Sequence, residues 1–171
     1  MDQPTLASGE LDALQFFFKH LREAIAGSDA PADELLYNAS ILAHYALTSR
    51  ASQDFPRAPA TLETVFDVFV LDRSQHADPE IMEAAGSQCL LLTGFFGAQL
   101  MGRHNVEWYA SLGASYYDRA ALYSRHRARR AMMTAMAVRF GFWRRQQAKL
   151  AREFAERATL ARYPLLGSGQ N

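Results

Sequence analysis

The sequence predicts an all-α fold, a single-domain bundle of five to six helices with a central apolar helix. Apolar residues recur at spacings of three and four in successive segments, which is the period of an amphipathic helix. Residues that start and stop helices separate these segments. No stretch alternates with period two for more than a few residues, so a sheet has little support. We therefore predict one helical domain over 9–162, a flexible N-terminus over 1–8 and a flexible C-terminal tail over 163–171.

Three helices are predicted in the N-terminal part of the chain. Ser8 is expected to cap the first, which ends near Gly27. Pro31 suits the first turn of the second, which ends near Arg50. After a loop with two prolines, Thr61 is expected to cap a shorter third helix over "LETVFDVFVLD".

Three more helices are predicted in the C-terminal part. Asp78 followed by Pro79 starts the fourth, which holds "GSQCLLLTGFFGAQL" and is apolar nearly all round, as a central helix should be. Asn105 starts the fifth, and the sixth begins after "SRHRARR" and runs to about Ala161. Glycines in these helices let another backbone approach closely, and we expect this at Gly94, Gly97 and Gly113.

One helical seam accounts for most of the sixth helix. Its members follow one another at alternating spacings of three and four: Met133, Met136, Phe140, Trp143, Gln147, Leu150 and Phe154. The aromatic residues of "VRFGFWRRQQAK" are therefore expected to pack in the bundle, without a ligand to explain them.

The charges of the chain are separated along its length. Residues 1–100 hold 5 Lys/Arg against 14 Asp/Glu, whereas residues 124–162 hold 11 against 2, and ten of those eleven cations are arginines. Either acidic helices lie beside the basic one and cancel its field, or the basic helix faces an anion, which arginine binds in a bidentate fork. The candidate anion-binding residues are Arg127, Arg130, Arg139, Arg144, Arg145, Lys149 and Arg152.

No motif of an active site or a metal centre occurs in the sequence. The five histidines lack metal-ligand spacing, and Asp72 with His76 is more typical of a surface pair than of a catalytic dyad. Cys89 lies in an apolar run and is interpreted as packing. We predict no catalytic residue, no metal and no cofactor.

The location of the protein is predicted from the absence of a signal peptide and of a membrane span. The start of the chain carries acids where a signal peptide needs cations. The longest apolar run, "CLLLTGFFGAQLM", has 13 residues, too few for a membrane span. We expect a cytoplasmic protein.

The segment from Leu90 to Ala121 resembles an uncharacterised bacterial family of helical proteins, which carries L-x-x-G-F-F, a basic turn, V-x-Y-Y and G-x-x-A-Y. The upstream "ELLYNASILAHYAL" resembles an earlier helix of the same family, so the resemblance covers roughly Glu34 to Tyr123. Two departures are Ser87, where an acid commonly follows the glycine, and Trp108, in place of the first tyrosine. The resemblance implies bacterial origin and a helical fold, and it implies no activity. The corresponding residues here are Leu91, Gly94, Phe95, Phe96, Arg103, His104, Val106, Trp108, Tyr109, Gly113, Tyr116 and Tyr117.

The same segment contains aromatic residues beside a basic turn, which could line a pocket with polar tips. The alternative is that the rings are core residues, since aromatic residues at helical spacing usually pack. The candidate partner- or ligand-binding residues are Arg103, His104, Trp108, Tyr109, Tyr116 and Tyr117.

Three functions remain open from the sequence. The first is a non-catalytic protein-interaction module, either a homo-oligomer or an adaptor, indicated by the aromatic, Met and Arg content that interfaces favour. The second is a nucleic-acid-binding regulator that uses the Arg-rich helix. The third is an enzyme or a carrier of an apolar small molecule, with a pocket around Gly94–Tyr117.

Overall fold

A computed structural model describes residues 4–51, 74, 76–102 and 105–162, and these residues form an all-helical structure without a β-strand. The third predicted helix, expected to begin at Thr61, and the tail over 163–171 lie outside the described residues, as do Arg103 and His104. Seven helices occur in the described part: α1 (Pro4–Ala24), α2 (Ala32–Ala51), α3 (Pro79–Thr93), α4 (Gly97–Leu100), α5 (Val106–Tyr123), α6 (Arg127–Val138) and α7 (Phe140–Arg162).

Two predicted helix starts are confirmed by their caps. The Asp78 carboxylate accepts hydrogen bonds from the backbone N–H groups of Glu80 and Ile81 at 2.9 and 3.2 Å. The Asn105 side chain accepts from the backbone N–H of Trp108 at 3.1 Å. Each side chain thus satisfies donors that the first helical turn leaves without a partner.

Three predicted helix boundaries are wrong. Helix α1 begins at Pro4, which suits a first turn, so Ser8 lies inside the helix. The fourth predicted helix ends at Gly94, and α4 follows as a separate short helix. The sixth begins at Arg127, and a break at Arg139 divides it into α6 and α7. Splitting of two predicted helices raises the count in the described part of the chain to seven, so the predicted count of five to six is not confirmed.

Helix α3 lies between helices from the N-terminal and the C-terminal parts of the chain. It contacts α2, α5 and α7, and α1 packs on α2 and α7. Its buried side chains include Met82, Cys89 and Leu90. In the described ranges, no helix is long and apolar enough to cross a membrane.

The predicted seam lies in the core. Met133, Met136, Phe140, Trp143, Gln147 and Leu150 are buried, and Phe154 is half-buried against the core. The prediction that these aromatic residues pack in the bundle is therefore confirmed.

Two of the three glycine predictions are confirmed by close approach of another element. A Cβ on Gly94 would lie 3.1 Å from the Arg144 carbonyl oxygen, and a Cβ on Gly113 would lie 2.6 Å from both Cys89 and Phe140. The prediction for Gly97 is wrong, because nothing lies within 4 Å of the position of its Cβ.

Candidate interaction groove

Arg144 is one of the seven candidate anion-binding residues, and its guanidinium is bound within the fold. Its Nε donates to the Thr93 carbonyl at 3.0 Å, at the end of α3. Its two terminal nitrogens donate to the two carboxylate oxygens of Glu107 at 2.8 and 2.7 Å. These hydrogen bonds and the guanidinium charge lower the pKa of the Glu107 carboxyl group. Arg144 therefore joins α7 to α3 and α5.

Three further candidates also have partners within the fold. Arg139 pairs with Glu34 at 3.2 Å and with Asp29 at 3.8 Å. Arg130 donates to the Ser124 carbonyl at 2.7 Å, and Lys149 to the Ala24 carbonyl, at the end of α1, at 3.2 Å. Lys149 complements the negative end of the α1 dipole. Four of the seven cations thus stabilise helix contacts or helix ends.

Glu34 supplies an acidic partner from the N-terminal half of the chain. Its side chain is buried, and its Oε2 accepts a hydrogen bond from Trp143 Nε1 at 2.7 Å. The same oxygen forms the ion pair with Arg139. One turn later, the buried Asn38 accepts from Gln147 Nε2 at 3.3 Å. Acidic α2 therefore lies against α7 and offsets part of its positive charge.

The other three candidates are exposed and lack a hydrogen-bond or ion-pair partner among the described residues: Arg127, Arg145 and Arg152. Arg145 and Arg152 stand seven residues apart on α7, which places them on the same side of the helix about 10 Å apart along its axis. Two unneutralised guanidinium groups therefore share one edge of α7.

A groove with a volume of about 680 Å³ runs beside these two arginines. Its floor is a face of α7 with four small residues, and its opposite wall is mainly apolar and includes Phe95, Met101 and Val106. The same wall also holds Gln99 and Glu107, whose carboxylate is paired with Arg144. Met101 is 72% exposed. The small residues of the floor are Gly141, Ala148, Ala151 and Ala155.

The length and shape of the groove match a helix. The lining residues of α7 extend from Gly141 to Ala155, which is 14 steps and about 21 Å. Small side chains on the floor allow the axis of a second helix to come close, because the interaxial distance depends on the side chains at the contact. The groove thus has room for about four turns of helix beside the Arg145 and Arg152 edge.

The aromatic candidates from α5 do not share one open surface. Tyr109, Tyr116 and Tyr117 are buried in the core, whereas Trp108 is 42% exposed and packs edge-to-face on Tyr109. None of these four residues lines the groove. The alternative that the tyrosines are core residues is the one that their burial supports.

The sequence analysis selected the arginines of the groove and named a pocket around Gly94–Tyr117, which includes part of the opposite wall, but it did not select the small residues of the floor. The repeat of Gly and Ala at positions 141, 148, 151 and 155 was a signal, because it places small residues on one face of α7, about 100° from the seam. The opposite wall could not be found in this way, since Phe95 and Met101 reach the groove only through the break at Gly94.

No protein-family model matches the chain, and no match was found among curated proteins or solved structures. The resemblance over Leu90–Ala121 therefore rests on its motifs alone, and the arguments for a function come from the geometry.

Proposed function

We propose that the protein is a helical interaction module whose groove binds an acidic amphipathic helix of a protein partner. One observation carries the proposal: a four-turn groove with a floor of small residues lies beside two exposed arginines that have no partner among the described residues. Helices bind to proteins by placing an apolar face in such a groove. The partner helix would carry carboxylates seven residues apart, opposite Arg145 and Arg152.

The alternative of nucleic-acid binding has weaker support. A phosphate-binding surface needs several free cations, because affinity depends on the number of phosphates that are neutralised. Arg139, Arg144 and Lys149 have partners within the fold. The arginine edge of the groove is short and adjoins apolar residues, which favours a protein helix.

The proposal is tested with helical peptides selected from a displayed library on the wild-type protein. We expect the selected peptides to carry acids at i and i+7 beside an apolar face. Their affinities are then measured by fluorescence anisotropy for the wild type and for Arg145→Glu/Arg152→Glu. Two edge ion pairs of about 0.7 kcal/mol each predict at least a tenfold loss in this variant.

Arg157→Glu is the matched control, because Arg157 is an exposed arginine of α7 that does not line the groove. It should bind the selected peptides within about twofold of wild type, since isolated surface charges contribute little. Selection of peptides without acids, or an equal loss in both variants, would contradict the proposal. Tighter salt-dependent binding to duplex DNA, lost in the double variant, would support the nucleic-acid alternative instead.

A further inference from the structure

A second cavity, with a volume of about 690 Å³, lies between α2 and α3 and is separate from the groove. Both helices present a whole face to it. On α2 the lining residues extend from Tyr37 to Thr48, and on α3 from Glu80 to Leu91, each at helical spacing. Its volume is in the range of small-molecule sites.

A network of hydrogen bonds forms one end of this cleft. Tyr37 donates to Glu83 Oε1 at 2.9 Å, and its hydroxyl lies 3.2 Å from Ser87 Oγ. Ser87 in turn lies 2.9 Å from the Tyr117 hydroxyl, and Arg129 of α6 forms an ion pair with Glu83. Four helices thus meet at one polar cluster, so the wall of the cleft is fixed before any ligand enters.

The two phenols of this network remain neutral at ordinary pH. Burial raises the pKa of Tyr37 above its usual value, and the nearby Glu83 carboxylate raises it further. Burial, and then Tyr37, raise the pKa of Tyr117 in the same direction. The Tyr37 hydroxyl therefore holds Glu83 in position, the Tyr117 hydroxyl pairs with Ser87, and neither phenol adds charge to the cleft.

The charges around the cleft do not balance. Arg129 neutralises Glu83, whereas the exposed Glu80 has no ion-pair partner among the described residues. Ser40 and Thr48 are neutral, and their hydroxyls donate to carbonyls of their own helix. His44 also lines the cleft, and the carboxylate left there without a balancing cation is that of Glu80, which favours a cationic ligand.

The rest of the cleft wall is mainly apolar. Ile41 and Leu91 contribute aliphatic surface, and the rings of Tyr37 and Tyr45 lie on the α2 side. The polar members of this part of the wall are His44 and Gln88. Aromatic faces attract a cation as well as apolar groups. An apolar body and an amine would therefore both find complementary surface here.

We propose that the cleft between α2 and α3 binds a small molecule that combines an apolar body with a protonated amine, which pairs with Glu80. The proposal is independent of the groove, because the two sites share no lining residue. No chemical step is proposed for the site.

The test uses arylalkylamines together with the alcohols and carboxylic acids of the same carbon skeletons. Dissociation constants are measured by NMR titration of the full chain. In the wild type the amine should bind up to about fivefold more tightly than its alcohol, which is the upper end of what one surface ion pair supplies. The acid should bind more weakly than both.

Three variants locate the binding. Glu80→Gln should abolish the preference for the amine, whereas Glu156→Gln, an exposed acid on α7, should keep it. Ala84→Trp places a large ring in the cleft from an exposed position, so it should remove binding of amine and alcohol alike while circular dichroism shows a folded protein. The proposal is overturned by no binding in the wild type, by a preference for the acid, or by an amine preference that survives Glu80→Gln.

Discussion

Substitution of Gly113 by alanine tests the packing of α3, α5 and α7 directly. An added Cβ would lie 2.6 Å from Cys89 Cβ and 2.6 Å from Phe140 Cζ. Carbon atoms in favourable contact are about 3.5 Å apart, so each overlap is about 1 Å. The Cys89 Cβ is fixed to the α3 backbone, and relief therefore requires movement of a helix.

The expected cost follows from two opposing effects. Overpacking of this size costs about 3 kcal/mol, the upper part of its usual range, because two elements clash at once. Alanine in a helix recovers about 1 kcal/mol relative to glycine. We therefore expect Gly113→Ala to lower the free energy of unfolding by about 2 kcal/mol, which corresponds to a fall in Tm of about 4 to 8 °C for a domain of this size.

Urea unfolding followed by circular dichroism measures this change, and Gly9→Ala is the control. Gly9 lies in α1, and nothing lies within 4 Å of the position of its Cβ. That variant should gain up to about 1 kcal/mol. Addition of Phe140→Leu should reduce the penalty of Gly113→Ala by at least about 0.5 kcal/mol, since the pair is in contact. A Gly113→Ala protein as stable as wild type would refute the reasoning.

Further predictions concern buried groups and one ion pair. Burial raises the pKa of the Cys89 thiol from 9.0 to about 12 and also raises the pKa values of the buried tyrosines. As the pH rises, the folded protein therefore keeps these protons to a higher pH than the unfolded chain does. The titration of these groups should leave the free energy of unfolding unchanged below about pH 9. Above that pH each group should lower it by up to about 1.4 kcal/mol per pH unit, and urea midpoints from pH 8 to 11 would show this. The same burial should protect Cys89 from a thiol reagent until urea unfolds the chain, and early modification would contradict it. Trp143→Phe removes the N–H that Glu34 accepts and should cost about 1 to 3 kcal/mol in urea unfolding. Arg144→Gln should cost about 1 kcal/mol, because Glu107 and a buried backbone carbonyl lose a donor, and a neutral result would show that the fork is not stabilising.

The helices themselves were predictable because their signals are local. The spacing of the seam identified the buried face of α6 and α7, including the unusual buried Gln147. Asp78 and Asn105 identified two helix starts through their capping chemistry.

Features that depend on distant partners were not predictable. The break at Arg139 coincides with an ion pair to Glu34, which is 105 positions earlier in the chain. The cleft network depends on Tyr37 of α2, Ser87 of α3 and Tyr117 of α5. Spacing within one helix does not reveal which helix will face it, so neither arrangement was available from the sequence.

The same uncertainty affected the charges. Composition showed two oppositely charged halves without showing which cations would be paired. Arg144 and Arg145 are adjacent in the chain, yet one is bound to Glu107 and the other is exposed without a partner among the described residues. The two side chains point about 100° apart around the axis of α7, and that of Arg144 points toward α5.

The contact between Glu34 and Trp143 also has a consequence for synthesis of the chain. The two residues are 109 positions apart, and Lys149 reaches the end of α1 across 125 positions. At 5 to 20 residues per second, about 5 to 20 s pass between the addition of Glu34 and the addition of its partner. During that interval α1 and α2 exist without the helix that buries them, so the bundle can close only after α7 has been made.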